Sequence, residues 1–212
     1  MKLLVTGGAG YTESAAPLPS NPYGASKLAA DHLIGYAAAQ GLAAVSLRHF
    51  NVAGASGCFG NADASCLQLI PVVLRAAAGR RDAVEVFGTD YPTRDGTAAR
   101  DFIHVEDLGR AHILTLEAAE EGEQRVYNLG NGAGFTVAEV VQAAHRVTGR
   151  RIAVVESPRR PGDPAVVVAS SQKIRAELGW KPEKPDLETM ISDALDWIKV
   201  HSHEYEPGSA GD

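Results

Sequence analysis

Short apolar segments that favour strands alternate along this chain with longer segments that carry helix signals, and the connections between them are short. This alternation is typical of the α/β class, in which strands and helices follow one another along the sequence. The 212 residues are enough for one large domain or two small ones. Strands or extended segments are predicted at residues 2–6, 43–48, 84–87, 101–105, 125–129, 152–155 and 166–169.

Capping residues mark where the helices begin and end. Asn21 is a suitable N-cap, Pro22 fits the first helical position, and Gly41 can close the first helix. Residues 136–139 (Thr-Val-Ala-Glu) form a capping box for a helix that ends at Gly149. Further helices are predicted at residues 67–78, 106–120, 171–178 and 187–200, the last of them capped by Asp186.

Charge and composition exclude several classes of protein. A formal net charge of −6, with no basic stretch, argues against general nucleic-acid binding. No apolar run approaches the ~20 residues that cross a membrane, and residues 1–11 do not read as a signal peptide. Cys58 and Cys66 are too few for a disulfide framework or zinc site, and His104 and His112 have no partner at metal-ligand spacing. We therefore expect a cytoplasmic protein with reduced thiols, no metal, and no membrane or nucleic-acid partner.

The first predicted strand runs directly into a cluster of glycines at residues 7–10. A strand followed by glycines is how a dinucleotide-binding fold begins, because glycines let backbone N–H groups approach a pyrophosphate. The pattern then breaks, since Glu13 stands where a third glycine is expected. Residues 12–22 contain three prolines and therefore predict a loop rather than the expected helix.

Tyr23 and Lys27 are spaced four residues apart, which places them one turn apart on the same face of the first helix. A free phenol has a pKa of about 10, and a nearby ammonium lowers that pKa toward the range of a useful general base. The spacing alone is weak evidence, because many exposed helices contain a tyrosine and a lysine at this distance. A solvated helix face is the simpler interpretation until other motifs are considered.

Several further motifs occur in a fixed order along the chain. They are Val-Thr-Gly-Gly-Ala-Gly-Tyr (5–11), Asn-Pro-Tyr-Gly-Ala-Ser-Lys (21–27), Arg-His-Phe-Asn-Val-Ala-Gly (48–54), Val-Phe-Gly-Thr-Asp-Tyr-Pro-Thr (86–93), Asp-Gly-Thr (95–97), Arg-Asp-Phe-Ile-His-Val (100–105), Tyr-Asn-Leu-Gly (127–130) and Arg-Pro-Gly-Asp (160–163). In this order they closely resemble the UDP-glucose 4-epimerases of the extended short-chain dehydrogenase/reductase family. The resemblance extends over nearly the whole chain, to about His201.

The resemblance implies an α/β fold with a Rossmann-like parallel sheet and a smaller C-terminal α/β part that binds substrate. Members of the family are much longer after the glycine segment, so the sheet is expected to lack several N-terminal strands. Residues 1–11 are then a remnant of the dinucleotide-binding strand and glycine loop, residues 12–201 hold the remaining elements, and residues 202–212 form a flexible tail. The resemblance also implies a homodimer, although one of its interface helices would belong to the missing part.

By resemblance, the cofactor is NAD and the reaction passes through a 4-keto sugar. Tyr23 is then the acid/base group, and Lys27 lowers the pKa of Tyr23 and binds the nicotinamide ribose. Cofactor contacts fall on Gly7, Gly10, Tyr11 and Phe50, together with Tyr23 and Lys27.

The UDP-sugar contacts implied by the resemblance are Asn51, Leu69, Phe87, Arg100, Arg160, Asp163 and Val167. Guanidinium groups suit a diphosphate, because their N–H donors form a fork that matches its oxygens. A small residue such as Val167 permits an N-acetyl group on the sugar. Without the resemblance, Arg100 beside Asp101 is more typical of a surface ion pair. Gln68 differs from the asparagine or histidine expected there.

Two other interpretations remain open: a non-catalytic UDP-sugar-binding remnant, and another epimerase, decarboxylase or dehydratase of the same superfamily. We expect weak NAD binding and undetectable turnover, because few residues remain for the cofactor site. Asp31, inside the first helix, is predicted to be a surface charge. The two cysteines are expected to pack as small apolar residues, and Trp180 and Trp197 are expected in the core.

Overall fold

A computed structural model describes residues 2–6, 22–63 and 65–201, with the backbone alone for residues 2–6 and Tyr23. The strands are β1 (Lys2–Thr6), β2 (Ala43–His49), β3 (Asn51–Ala53), β4 (Val84–Phe87), β5 (Ala99–Arg100), β6 (Phe102–His104), β7 (Gln124–Leu129), β8 (Phe135–Thr136), β9 (Val154–Ser157) and β10 (Val166–Val167). The helices are α1 (Pro22–Ala39), α2 (Leu69–Ala77), α3 (Val105–Glu117), α4 (Val137–Thr148), α5 (Gln172–Leu178) and α6 (Leu187–Val200).

β1, β2 and β7 form a parallel sheet with β2 in the centre. The register places Thr6 opposite Leu47 and Arg48 opposite Asn128, so the carboxyl ends of the three strands lie at one edge, the carboxyl edge. Since α1 follows β1 and precedes the parallel strand β2, α1 begins at the carboxyl edge. The turn after α1 contains Gly41, whose φ of 99° lies in the left-handed region that glycine tolerates best.

The two faces of β2 bury different kinds of side chain, because alternate residues of a strand point in opposite directions. Val45 and Leu47 belong to a large apolar cluster with α3 and α5, which also contains Trp180. On the other face Ala44 packs under α1, and the buried polar residues Ser46 and Arg48 follow it.

The remaining elements form the C-terminal part of the fold. α2, α4 and α6 pack together around Val73, Val140, Met190 and Ile191, which are all buried. Three small sheets accompany these helices: β3 with β6, β4 with β9, and β5 between β10 and β8. Their pairs are parallel except for β5 with β8, which is antiparallel.

The fully buried carboxylate of Asp101, which lies between β5 and β6, connects them to the turn after β7 and to the segment after β10. It accepts hydrogen bonds from the backbone N–H groups of Asn131, Gly132 and Ala169, at 2.9, 3.0 and 2.9 Å. Burial raises the pKa of this carboxyl, and the three N–H donors offset part of that rise. The backbone of Gly130 passes so close that a Cβ there would meet the carboxylate of Asp101 and lie 2.6 Å from Cβ of Ala169.

The α/β class predicted from the sequence is confirmed, and each predicted helix is present. The capping box is also confirmed, since Thr136 and Glu139 exchange hydrogen bonds between side chain and backbone. α2 begins at Leu69 rather than 67, because Gln68 is still extended. β9 begins two residues later than predicted, since its pairing starts opposite Val84. The glycine segment 7–10, the loop residues 11–21 and the tail 202–212 lie outside the described residues.

The predictions about burial are wrong for Asp31 and Cys58 and confirmed for Cys66, Trp180 and Trp197. Asp31 is buried rather than a surface charge, because Arg48 of β2 reaches across to pair with it. Cys58 is exposed, because it lies in a turn between Ser56 and Phe59, whereas Cys66 is buried as expected. Trp180 and Trp197 both lie in the core.

His104 is a buried N-cap of α3. Its Nδ1 accepts a hydrogen bond from the Glu106 N–H at 3.1 Å, so the ring proton lies on Nε2, 3.1 Å from the Asp193 carboxylate. Burial is the main cause that lowers the pKa of His104, Lys184 adds to the effect, and Asp193 offsets only part of it. The ring also fills the space that a side chain on Gly54 would need.

Gly130→Ala is expected to lower the free energy of unfolding by about 1–3 kcal/mol, because the new methyl group must displace Asp101 or Ala169. The matched control is Gly109→Ala on the exposed side of α3, where nothing lies within 4 Å. This control should gain about 0.8–1 kcal/mol through the higher helix propensity of alanine. Urea unfolding of both variants measures the difference, and equal effects would contradict the tight packing inferred at Gly130.

The protein should lose stability as the pH falls from 7.5 to 5.5. A lowered pKa in the folded state means that unfolded His104, with an ordinary pKa of 6.5, binds protons first. The contribution of His104 to the free energy of unfolding is complete above pH 6.5. It decreases below that pH, by at most about 1.4 kcal/mol per pH unit. His104→Asn keeps an N-cap acceptor without titrating and should give a flatter profile. Identical pH profiles of the unfolding free energy in the two proteins would show that His104 is not responsible.

Candidate functional site

An open cleft of about 1120 Å³, including the solvent at its mouth, lies between α2, β4, β5 and the segment that joins β9 to β10. Six of the seven residues expected to contact a nucleotide sugar line it, and they come from five separate places in the fold. Asn51 begins β3, Leu69 begins α2, Phe87 ends β4, Arg100 ends β5, and Arg160 and Asp163 follow β9.

Arg100 is held in place by its neighbours before any ligand arrives. Its Nη1 donates to the carbonyl oxygens of Ala99 and Pro164, at 2.8 and 3.0 Å. Its Nη2 lies 3.3 Å from the carboxylate of Asp163. The expected alternative, a surface ion pair of Arg100 with Asp101, is wrong, because Asp101 is turned into the core and bonded to backbone N–H groups.

Arg160 stacks on the ring of Phe87, with its guanidinium carbon 3.7 Å from the ring centroid. Such a contact places a positive charge next to an aromatic face, a combination that suits a ligand with both a flat ring and an anionic group. The neighbouring Arg159 makes a similar contact with Tyr91 at 4.2 Å and pairs with Asp90, and it does not line the cleft.

Asn51 forms the inner wall of the cleft and is tied to the core. Its side-chain Nδ2 donates to the carbonyl oxygen of Asp101 at 2.9 Å, and its backbone N–H donates to the same oxygen at 3.2 Å. Val167, the seventh predicted contact, does not line the cleft. It pairs with Arg100 in the β10–β5 ladder, one strand away from the cleft wall.

The cleft also contains residues that the sequence did not assign, notably Arg81, Glu85 and Val137. Among the lining residues, Arg81, Arg100 and Arg160 outnumber Glu85 and Asp163, so the cleft is more positive than a chain of net charge −6 would suggest. Arg81 lies just after α2 and donates its own Nε to the carbonyl oxygen of Ala83. The sequence spacing of Arg81 does not identify it as a cleft residue, and it reaches the cleft only because of the fold.

The predicted cofactor residues that the structure describes lie at the carboxyl edge, after β1 or after β2. Gly7, Gly10 and Tyr11 lie outside the described residues. Tyr23 lies in the first turn of α1, and the half-buried Lys27 follows one turn later. Phe50 comes directly after β2 and donates its N–H to Leu129 of β7 at 3.2 Å. In parallel α/β sheets, ligands bind at the edge formed by the carboxyl ends of the strands.

Asn128 supplies an independent observation at this edge. Its side chain is fully buried on β7, and neither its amide nitrogen nor its oxygen has a hydrogen-bond partner among the described residues. Buried amides are nearly always paired, so an unpaired one marks a place where a polar partner is expected. A polar partner for Asn128 is therefore expected near the carboxyl edge.

Among the described residues, no group of three or more His, Cys, Asp or Glu residues could hold a metal ion. In the same part of the chain, no helix has the length and apolar character needed to span a membrane.

Comparison with known proteins adds independent information. Residues 4–130, more than half of the chain, match the NAD dependent epimerase/dehydratase family. The chain is 52% identical over 184 residues to the UDP-glucose 4-epimerase of Corynebacterium glutamicum, and the match covers 86% of this chain and 56% of that protein. The chain thus spans less than two thirds of the length of this relative.

Two solved structures are similar to this fold. A crystal structure of a UDP-glucose 4-epimerase matches with a TM-score of 0.90 and 39% identity, over 97% of this chain and 67% of that one. The UDP-glucose 4-epimerase from Bifidobacterium longum, in complex with NAD+ and UDP, matches with a TM-score of 0.84 and 33% identity, over 96% of this chain and 65% of that one.

Proposed function

The chain belongs to the NAD dependent epimerase/dehydratase family, and we propose that it carries the UDP-sugar site of a UDP-glucose 4-epimerase, with NAD as a weakly bound cofactor and turnover below detection. The observation that supports this proposal most strongly is the shared cleft. Six residues that are far apart in the sequence, from Asn51 to Asp163, line one cavity of suitable size and charge.

The cleft offers a suitable group for each part of a UDP-sugar. Arg100 and Arg160 would bind the diphosphate, because guanidinium groups donate paired hydrogen bonds to phosphate oxygens. Phe87 would provide a flat apolar surface for the uracil ring. Asp163 would accept hydrogen bonds from the ribose hydroxyls, while Asn51 and Leu69 would supply further contacts to the nucleotide.

The carboxyl edge of the β1–β2–β7 sheet would hold the cofactor, with Phe50 and the glycine segment 7–10 beside it. NAD, when bound, supplies the acceptor for the hydride removed from C4 of the sugar. Tyr23 would take the proton of the sugar 4-hydroxyl and later return it. Lys27, one helical turn away, would favour the phenolate form of Tyr23 by placing a positive charge nearby.

Turnover below detection is expected because the connection between β1 and α1 is short. Only residues 7–21 separate β1 from α1, the helix that carries Tyr23 and Lys27. A separate mononucleotide-binding βαβ unit needs ~30 residues or more. Most of the usual surface for an adenosine half is therefore missing, and a non-catalytic UDP-sugar-binding remnant is the second candidate. A decarboxylase or dehydratase is less well supported, because the motifs at 86–93 and 100–105 resemble those of the epimerases.

We also propose a cytoplasmic location, from the composition, and a homodimer formed through α1, from the resemblance. Its Leu33 and Tyr36, which are 71% and 72% exposed, give that helix an apolar outer face suited to such a contact.

Arg160→Met should weaken UDP binding at least tenfold, because it removes a charge-assisted contact to the diphosphate, worth about 1.5–3 kcal/mol. Arg159→Met is the matched control, since Arg159 is the adjacent arginine, also stacks on an aromatic ring, and lies outside the cleft lining. Isothermal titration calorimetry with UDP measures both variants against the unmodified protein. Equal losses in the two variants, or no UDP binding by the unmodified protein, would refute the assignment of the cleft.

The purified chain should convert UDP-galactose to UDP-glucose at a rate below detection, even with added NAD, because the adenosine half of the cofactor site is too small. Product formation followed by proton NMR, together with the NAD content of the purified protein, provides the measurement. Stoichiometric NAD and measurable conversion would show that the connection of residues 7–21 is sufficient for catalysis.

A further inference from the structure

Asp31, near the middle of α1, is bonded to the central sheet through both its side chain and its backbone. Its carboxylate oxygen accepts hydrogen bonds from Nε and Nη2 of Arg48, at 3.1 and 2.9 Å. Both side chains are almost completely buried, with 5% of Asp31 and 9% of Arg48 exposed. Arg48 lies near the carboxyl end of β2, so the ion pair fastens α1 to the centre of the sheet.

A second strand holds the same residue through its backbone. Nε2 of Gln124, at the start of β7, donates to the carbonyl oxygen of Asp31 at 2.9 Å and lies 3.2 Å from the hydroxyl of Ser46. The amide of Gln124 fits closely against Gly35, where a Cβ would lie 2.6 Å from its oxygen. Two neighbouring strands thus hold Asp31 from two directions.

The apolar contact of α1 with the sheet lies on the other side of Asp31. Ile34 and Ala38 pack against Ala44, nearer the carboxyl end of the helix. These side chains are mostly small, so their packing constrains the orientation of the helix less than directional hydrogen bonds do. At 1.5 Å per residue, Lys27 is ~6 Å and Tyr23 is ~12 Å from Asp31 along the axis, toward the carboxyl edge.

We propose that Asp31, together with Arg48 and Gln124, is a positioning residue that fixes the orientation of the Tyr23–Lys27 turn at the carboxyl edge. This inference rests on the proposed function for the meaning of that turn, but the positioning itself concerns the helix alone. A tilt of α1 about its apolar end would move Tyr23 further than any other residue of the described helix except Pro22, and the ion pair opposes that tilt.

The simpler interpretation is that the pair only adds stability. Burying two charges is costly, however, and exchanging a buried ion pair for apolar side chains of similar volume is often neutral or stabilising. A buried pair is therefore better explained by geometry than by stability, since fixing register is the best-supported role of such pairs. The two explanations predict different results for an apolar exchange.

The test is the double variant Asp31→Leu/Arg48→Met in the full chain. Amide hydrogen exchange by NMR is followed at residues 23–30 and 34–39, with thermal unfolding measured in parallel. The control is Arg146→Met/Glu188→Leu, which removes an ion pair between α4 and α6. We expect an undiminished unfolding temperature and exchange at least roughly tenfold faster at residues 23–30, with residues 34–39 and the control unchanged.

Unchanged exchange at residues 23–30 would overturn the proposal, and so would an equal acceleration along the whole of α1, which indicates general destabilisation. If the apolar variant does not fold, Arg48→Lys replaces it. This substitution keeps the charge but loses the two-nitrogen contact, and the proposal then requires faster exchange at residues 23–30 alone.

A second measurement separates this proposal from the proposed function. The pKa of Tyr23, assigned with Tyr23→Phe in ¹³C-labelled protein, is compared with and without Lys27→Met. We expect Lys27→Met to raise this pKa in the unmodified protein and to have little effect in the apolar variant. Suppose that Lys27→Met leaves the pKa of Tyr23 unchanged in every background, while exchange at residues 23–30 still accelerates in the apolar variant. The acid/base role of Tyr23 and Lys27 is then wrong, and the positioning role of Asp31 stands.

Discussion

The buried carboxylate of Asp101 is the interaction on which the cleft depends. Through its two oxygens it binds the turn after β7 and the end of β10, and through its carbonyl oxygen it binds Asn51. Its own N–H donates to the carbonyl oxygen of Val167 at 2.9 Å. Because Arg100 is the preceding residue, these bonds also fix the backbone from which its side chain extends, and its guanidinium is then held by Ala99, Pro164 and Asp163. The backbone N–H donors offset part of the cost of burying this charge, and the bonds keep several segments in register.

The central sheet shows how one strand can serve two purposes. The face of β2 toward α3 and α5 buries large apolar side chains such as Leu47, which stabilise the fold through apolar packing. The face toward α1 buries Ser46 and Arg48, whose hydrogen bonds require particular partners at particular distances. Stability and positioning are thus supplied by opposite sides of the same seven residues.

The sequence predicts the local features of this structure well and the long-range ones only in part. Thr136 and Asp186 identify helix starts because an N-cap bonds within three residues of itself. The cleft residues were found through motifs that resemble a known family, since no spacing links Asn51 to Asp163. The burial of Asp31 is not predictable from helix periodicity, because its partner Arg48 lies 17 residues away on a strand. The position of Arg81 in the cleft likewise depends on contacts between distant segments.

The ion pair between Arg100 and Asp163 has a consequence for the electrostatics of ligand exchange. Arg100 is already neutralised by a carboxylate 3.3 Å away, so a phosphate that reaches it replaces one anion by another. The attraction that draws a diphosphate from solution then comes mainly from Arg160 and Arg81, which are exposed and line the same cleft. Added salt screens such exposed charges strongly and a half-buried pair much less. Ionic strength should therefore act on the rate of association more than on the rate of release.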